Sequence, residues 1–150
     1  FLIAGEKGDA FGLYKKKVQE YGIESSVEFF GKIPHEKMHQ LYAKSTIVAV
    51  PSLDATEGTP TVLFEAAATG RPVVASRVSG IPWIVEDQKT GILVEPNNRE
   101  ALALSLIELL KNKTKVATMG ECARKRIEER FTWKHSSEKY ERVFQEIRSF

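Results

Sequence analysis

The chain predicts an α/β fold in which a Rossmann-like parallel sheet carries helices on both faces. Three features point there. Short apolar runs rich in β-branched residues (46–50, 73–76 and 91–94) recur along the chain, segments with helical spacing separate them, and Gly or Pro marks most of the handovers. Strands that alternate with helices pair in parallel, because a helical crossover returns the chain to the same end of the sheet.

The first element, residues 1–4 (F-L-I-A), reads as a buried strand already in progress. It feeds the turn Gly5, Glu6, Lys7, Gly8, Asp9, and residues 10–21 then form a basic amphipathic helix that Gly22 ends. The turn is glycine-rich, but it does not meet the G-x-G-x-x-G phosphate fingerprint. Residues 27–30 (V-E-F-F) form a short strand. Gly31, Lys32, Ile33 and Pro34 leave its carboxyl end, where open α/β sheets hold their ligands. A short helix ending near Lys44 turns Met38, Leu41 and Tyr42 inward.

The stretch 46–72 organises the rest. Residues 46–50 (T-I-V-A-V) have the composition of a fully buried strand, halted by Pro51 and Ser52. After a loop, Thr59 is placed as N-cap, Pro60 at the first helical position, and residues 61–69 as a compact helix stopped by Gly70 and Pro72. Residues 73–76 are the next strand, 77–82 a loop, and 91–94 a last short strand. A helix opened by residues 97–100 follows, its apolar face read from Ala101, Leu102, Leu104, Ile107 and Leu110. Residues 113–130 form a highly charged helix. A final one has Thr132 as N-cap and Tyr140, Val143, Phe144 and Ile147 on one face.

At 150 residues the length reads as one domain that buries a core without disulfides. The net charge of +2, with Lys and Arg interspersed with Glu, gives no electrostatic case for nucleic acid, and Lys15, Lys16 and Lys17 read as a solvated helix face. The single cysteine, Cys122, excludes an internal disulfide and fits a reducing compartment. No apolar run approaches the roughly 20 residues of a membrane span and no signal peptide is present, so the expectation is a soluble, cytoplasmic domain. The first residue is Phe1 rather than Met, within an apparent strand, which predicts a piece of a longer polypeptide.

The strand, loop and helix start of residues 46–63 leave backbone N–H groups at Thr61, Val62 and Leu63 aimed at a cleft above the strand ends, where the helix dipole favours an anion such as phosphate. Glu57 and Glu65 bracket this start with seven residues between them. Acids beside a phosphate repel it, but they fit if each accepts hydrogen bonds from sugar hydroxyls flanking a diphosphate. The alternative on spacing alone is a solvated loop acid and a surface helix residue.

The run E-G-T-P-T-V-L-F-E-A-A-A-T-G-R-P-V-V-A-S resembles the E-x7-E segment of retaining glycosyltransferases of the GT-B fold, in particular the large family 4. The similarity continues through V-E-F-F-G-K-I-P and L-Y-A-K-S-T-I-V-A-V-P-S before it and S-G-I-P-W-I-V-E-D-Q-K-T-G-I-L-V-E-P after it, covering most of residues 1–96. Three positions depart from the family. Lys7 stands in a turn that is often G-x-G-P, Ser79 replaces the first of two glycines, and Trp83 stands where a Glu is common.

The resemblance implies the donor-binding C-terminal half of a GT-B enzyme, without its first strand and helix. A UDP- or GDP-sugar would lie across the strand ends with its diphosphate on the helix start, contacted by Gly58, Thr59, Thr61, Val62 and Leu63. Glu65 then matches the acid that takes the ribose hydroxyls, Glu57 the catalytic acid that touches the transferred hexose, and Lys32 and Ile33 the main-chain contacts to the base. The implied reaction transfers the sugar with retention to a sugar, lipid or polysaccharide acceptor. No metal or other cofactor is implied, since Asp54 and Asp87 are isolated acids and form no D-x-D motif. The acceptor domain and two family cations would precede Phe1, so the isolated chain is expected to be inactive, with any peripheral membrane contact made by the absent domain.

Two other readings stand beside this one. A GT-B epimerase would share the fold without normally carrying the E-x7-E run. From a different class, His35, Glu36 and His39 match the H-E-x-x-H of zinc hydrolases. That motif belongs mid-way along a long helix, whereas Pro34 forces His35 to the very start of a short one.

Overall fold

A computed structural model of the chain describes residues 1–54 and 58–148. The chain divides into two compact units, Phe1–Ser45 and Thr46–Phe150. The parallel strands expected from the sequence form a pair in the first unit and a three-stranded sheet in the second.

The first unit holds β1 (Leu2–Ala4), α1 (Phe11–Glu20), β2 (Glu28–Gly31) and α2 (Met38–Lys44), with 3-10 turns at Glu24–Ser26 and His35–Lys37. Leu2 pairs with Glu28 and Ile3 with Phe29. The ring of Phe11 stands edge-on to that of Phe29 at 5.4 Å, which seats α1 on β2. Gly22 ends α1 as expected. Its φ of +62° is left-handed, its N–H donates to Gln19 O at 3.0 Å, and the next N–H, of Ile23, reaches back to Val18 O at 3.2 Å. β1 is not the buried strand expected: Leu2 and Ile3 are 38% and 42% exposed, because a two-stranded sheet is too small to enclose them. Tyr42 is buried, with Met38 and Leu41 half-buried beside it, in line with the inward face read for this helix.

The second unit runs β3 (Val48–Val50), α3 (Thr61–Ala68), β4 (Val73–Ser76), α4 (Ile81–Ile84), β5 (Gly91–Val94), α5 (Arg99–Lys111), α6 (Lys113–Arg130) and α7 (Trp133–Arg148). The strand order is β3-β4-β5, with Val48 opposite Val73 and Val73 opposite Gly91. β4 is central and all four of its residues are buried. β3 lies at the end of the order β3-β4-β5, and its Ala49 is exposed, so it is not the fully buried strand expected. Since all three strands point the same way, the segments leading to α3, α4 and α5 leave from one edge, the edge that binds ligands in folds of this kind.

On one face of the sheet Val74, Ile92 and Val94 meet Leu109 and Met119 from α5 and α6, with Ile47, Ala101, Leu102, Leu106 and Val116 around them. Alternation turns Val73 and Ala75 to the opposite face, and both are buried there. α3 contacts β4 and α6 and buries Leu63, Ala66 and Ala67. Gly70 closes α3 with the same left-handed turn as Gly22, its N–H on Ala67 O and that of Arg71 on Ala66 O, both at 2.9 Å.

Two helices differ from expectation. α4 occupies the end of the segment read as loop, started by Gly80 and Ile81. On α5 the core face runs through Ala101, Leu102, Leu106 and Leu109, while Leu104, Ile107 and Leu110 are 60%, 45% and 57% exposed. The helix is apolar on more than one side, and β4, β5 and α6 select which side is covered. Thr132 caps α7 as expected, its Oγ1 accepting from His135 N at 3.3 Å, and Asn98 caps α5, its Oδ1 accepting from Ala101 N at 2.9 Å. Tyr140, Val143, Phe144 and Ile147 form an exposed stripe along α7. Among the described residues no helix is long and apolar enough to cross a membrane.

Candidate functional site

The start of α3 is the best-formed candidate. Pro60 (φ −61°, ψ 126°) is its N-cap residue rather than its first helical one, so the helix begins at Thr61, one position later than the proline suggested. Nor does the Thr59 hydroxyl cap it: among the described residues no side-chain hydrogen bond caps this helix start. The reason is tertiary: Thr59 Oγ1 is turned onto Gly80, at the spot where a β-carbon of residue 80 would stand.

Of the three N–H groups expected to face a ligand, that of Leu63 is committed to Pro60 O at 3.2 Å. This removes Leu63 from the anion-binding set. Its side chain is fully buried and anchors the helix instead. The N–H groups of Thr61 and Val62 have no backbone partner among the described residues, as the first turn of a helix dictates. Glu65 lies one turn further on and is half-buried. Glu57, assigned to the transferred sugar, lies outside the described residues.

Gly58 and the segment before α4 fix this start. Gly58 is left-handed (φ +50°), and its carbonyl accepts from Gly80 N at 3.3 Å. Ser79, where the family has glycine, is left-handed too (φ +47°), a conformation that glycine adopts without steric cost. α4 in turn is clamped by Arg126 of α6, which donates from Nε to Ile84 O and from Nη2 to Trp83 O, both at 2.9 Å, and pairs through Nη1 with Glu86. Trp83 itself is exposed and edge-on to Phe131 at 5.6 Å. Sequence reasoning missed Gly80 and Arg126. The Ser-Gly pair before Ile81 and Pro82 was a signal for the first, whereas nothing in the spacing of Arg126, 40 residues from Glu86, signals the second.

At the other candidate position, Lys32 and Ile33 follow the carboxyl end of β2. Gly5 N donates to Gly31 O at 2.9 Å, which ties the turn after β1 to this loop. Lys32 Nζ is 3.9 Å from Glu6, both side chains being exposed, a pair that contributes little in water. Lys7 folds back with its ammonium 5.3 Å from the centre of the Phe11 ring.

The H-E-x-x-H segment is not one continuous α-helix. His35 sits in a 3-10 turn and His39 in α2, so the even helical repeat that stacks the two histidines of such a motif is interrupted. Among the described residues no three His, Cys, Asp or Glu side chains converge as metal ligands. Asp87, read as isolated, pairs with Arg77 at 2.7 Å and accepts from Leu93 N at 2.9 Å.

Parallel strands, helices on the sheet faces and a helix start at the ligand edge define a Rossmann-like α/β chain, and solved structures of GT-B glycosyltransferases superpose on it. Sucrose-phosphate synthase from Thermosynechococcus elongatus matches with a TM-score of 0.87 at 29% identity, over 99% of this chain and 38% of the synthase chain. TarM from S. aureus, in a complex holding UDP, matches with a TM-score of 0.82 at 26% identity, over 96% of this chain and 28% of its own. The chain belongs to the family of glycosyl transferases group 1, whose pattern it matches over residues 1–126. A curated relative, the D-inositol 3-phosphate glycosyltransferase of Corynebacterium aurimucosum, is 33% identical over 136 residues, which cover 91% of this chain and 32% of that protein. The chain thus spans about a third of the length of such relatives.

Proposed function

We propose that this chain binds the nucleotide-sugar donor of a glycosyltransferase that moves a hexose from a UDP- or GDP-sugar to a sugar, lipid or polysaccharide acceptor with retention of configuration. The observation that carries the reading is the start of α3, where Thr61 and Val62 hold their N–H groups without a backbone partner among the described residues, with Glu65 one turn behind. TarM, similar along almost the whole chain, is a protein solved with UDP.

In this reading the diphosphate rests on the Thr61 and Val62 N–H groups, beside Gly58 and Thr59, and the positive end of the helix dipole stabilises the charge that grows on it as the sugar departs. Glu65 accepts the ribose hydroxyls and Glu57 the hydroxyls of the transferred sugar. The departing phosphate takes the acceptor proton on the same face of the sugar, so no protein nucleophile and no metal take part. A second domain holds the acceptor, and the 150 residues alone turn nothing over.

The test is thermal denaturation of the chain with UDP or GDP. The midpoint is expected to rise with one of them and to stop rising in Glu65→Ala, each protein being compared with its own unliganded midpoint. No rise with either nucleotide sinks the reading. A panel of UDP-, GDP- and ADP-sugars on the full-length protein then identifies the donor.

A further inference from the structure

We propose that Gly80 is a positioning residue for the diphosphate site, acting through Thr59; this rests on the donor-binding reading and names what sets the site's geometry. The backbone of Gly80 (φ −77°, ψ −3°) is one that any residue adopts, so conformation does not call for glycine here. Space does. A β-carbon at residue 80 would stand 2.2 Å from Thr59 Oγ1, 3.3 Å from Thr59 Cβ and 3.4 Å from Gly58 O.

Rotating Thr59 removes only part of the conflict. Threonine carries two heavy atoms on Cβ, so only the rotamer that turns Hβ toward residue 80 clears the Oγ1 contact, and Cβ itself stays at 3.3 Å, close enough that a neighbour must give way. One side must therefore move. Residue 80 is held: it opens α4, whose Ile81 and Ile84 side chains are buried, and Arg126 clamps the Trp83 and Ile84 carbonyls. Thr59 is the side that yields. It is joined through Pro60, whose ring fixes φ, to Thr61, so a displacement of Thr59 is passed to the N–H groups of Thr61 and Val62. The absence of a side chain at residue 80 thus sets where those two donors stand.

The experiment compares wild type, Gly80→Ala, Thr59→Gly and the double variant in the full-length protein, with UDP and GDP as calorimetric probes. Gly80→Ala is expected to raise Kd about threefold to tenfold, since losing a hydrogen bond to a charged group costs roughly 10- to 100-fold in affinity and a displaced donor forfeits part of it. In the double variant, where residue 59 has neither Oγ1 nor Cβ to meet the new side chain, Kd is expected to return to that of Thr59→Gly alone. A role confined to general stability would lower the midpoint without this rescue of affinity. The inference is overturned if Gly80→Ala binds within twofold of wild type, or if the two substitutions weaken binding independently. Should Gly80→Ala fail to fold, the double variant read against Thr59→Gly decides: equal Kd supports the contact and a further loss of about threefold or more overturns it. If wild type binds neither nucleotide, the donor reading fails first and the inference falls with it, an outcome distinct from any difference among variants.

Discussion

Gly120, in the middle of α6, lies against the carbonyl of Gly70 at the end of α3: a β-carbon there would stand 2.2 Å from Gly70 O and 3.0 Å from its carbon. Two effects of Gly120→Ala oppose each other. Helix propensity favours alanine by about 1 kcal/mol. Overpacking costs about 1–3 kcal/mol, and Gly70 gives little ground because two hydrogen bonds hold its left-handed turn. The contact is expected to win, with the midpoint of urea or thermal unfolding lowered. A more stable variant would mean that α6 slides freely over α3.

The two apolar sides of α5 offer a paired measurement. Leu109 is fully buried, so Leu109→Ala is expected to cost about 2–5 kcal/mol. Leu104 lies on the open side, and Leu104→Lys is expected to change stability by less than about 0.5 kcal/mol in the 150-residue chain. Denaturant midpoints of both variants check this, and a large loss in Leu104→Lys would show that the exposed face is covered in solution.

That helix also shows where the sequence stops being sufficient. The period announces a helix at residues 99–111, but a helix apolar on more than one side does not say which stripe is buried; Val74, Ile92 and Val94 decide it. β4 and β5 were legible because a strand buried on both faces must be apolar throughout, and the ends of α1 and α3 because a left-handed turn calls for Gly22 and Gly70. The candidate site divides the same way. Glu65 and the helix start were readable from a local pattern, whereas Thr59 leaving its cap position depends on Gly80, 21 residues away, and the commitment of Leu63 N to Pro60 depends on a helix that starts one residue late.

Glu86 supplies a pH dependence. A hydrogen bond from Lys89 lowers its carboxyl below the ordinary 4.5, with the Arg126, Lys89 and Arg130 charges acting in the same direction and burial opposing them. A carboxyl lowered on folding stabilises the native state at every pH above its unfolded value, and that contribution disappears as pH falls through the lower folded value. Glu86→Gln is therefore expected to lower the midpoint at pH 7 and to differ less and less from wild type as pH drops below about 4.5. A gap that stays constant into acid would assign the effect to hydrogen bonding by the neutral side chain.

The Thr61 N–H can be deleted with little harm to the helix. Pro60 already has the extended backbone (ψ 126°) that a residue before proline prefers, and Thr61 is the first helical residue, where proline fits. Thr61→Pro therefore removes one proposed diphosphate donor, leaves every i→i−4 bond of α3 in place, and is expected to keep or slightly raise the unliganded midpoint. A hydrogen bond to a charged group contributes about 1.5–3 kcal/mol, so nucleotide affinity should fall roughly 10- to 100-fold. Proline at an exposed site elsewhere in the second unit serves as control. Unchanged affinity for UDP and GDP in Thr61→Pro would mean that the phosphates do not sit on this helix start, because the substitution alters little else there.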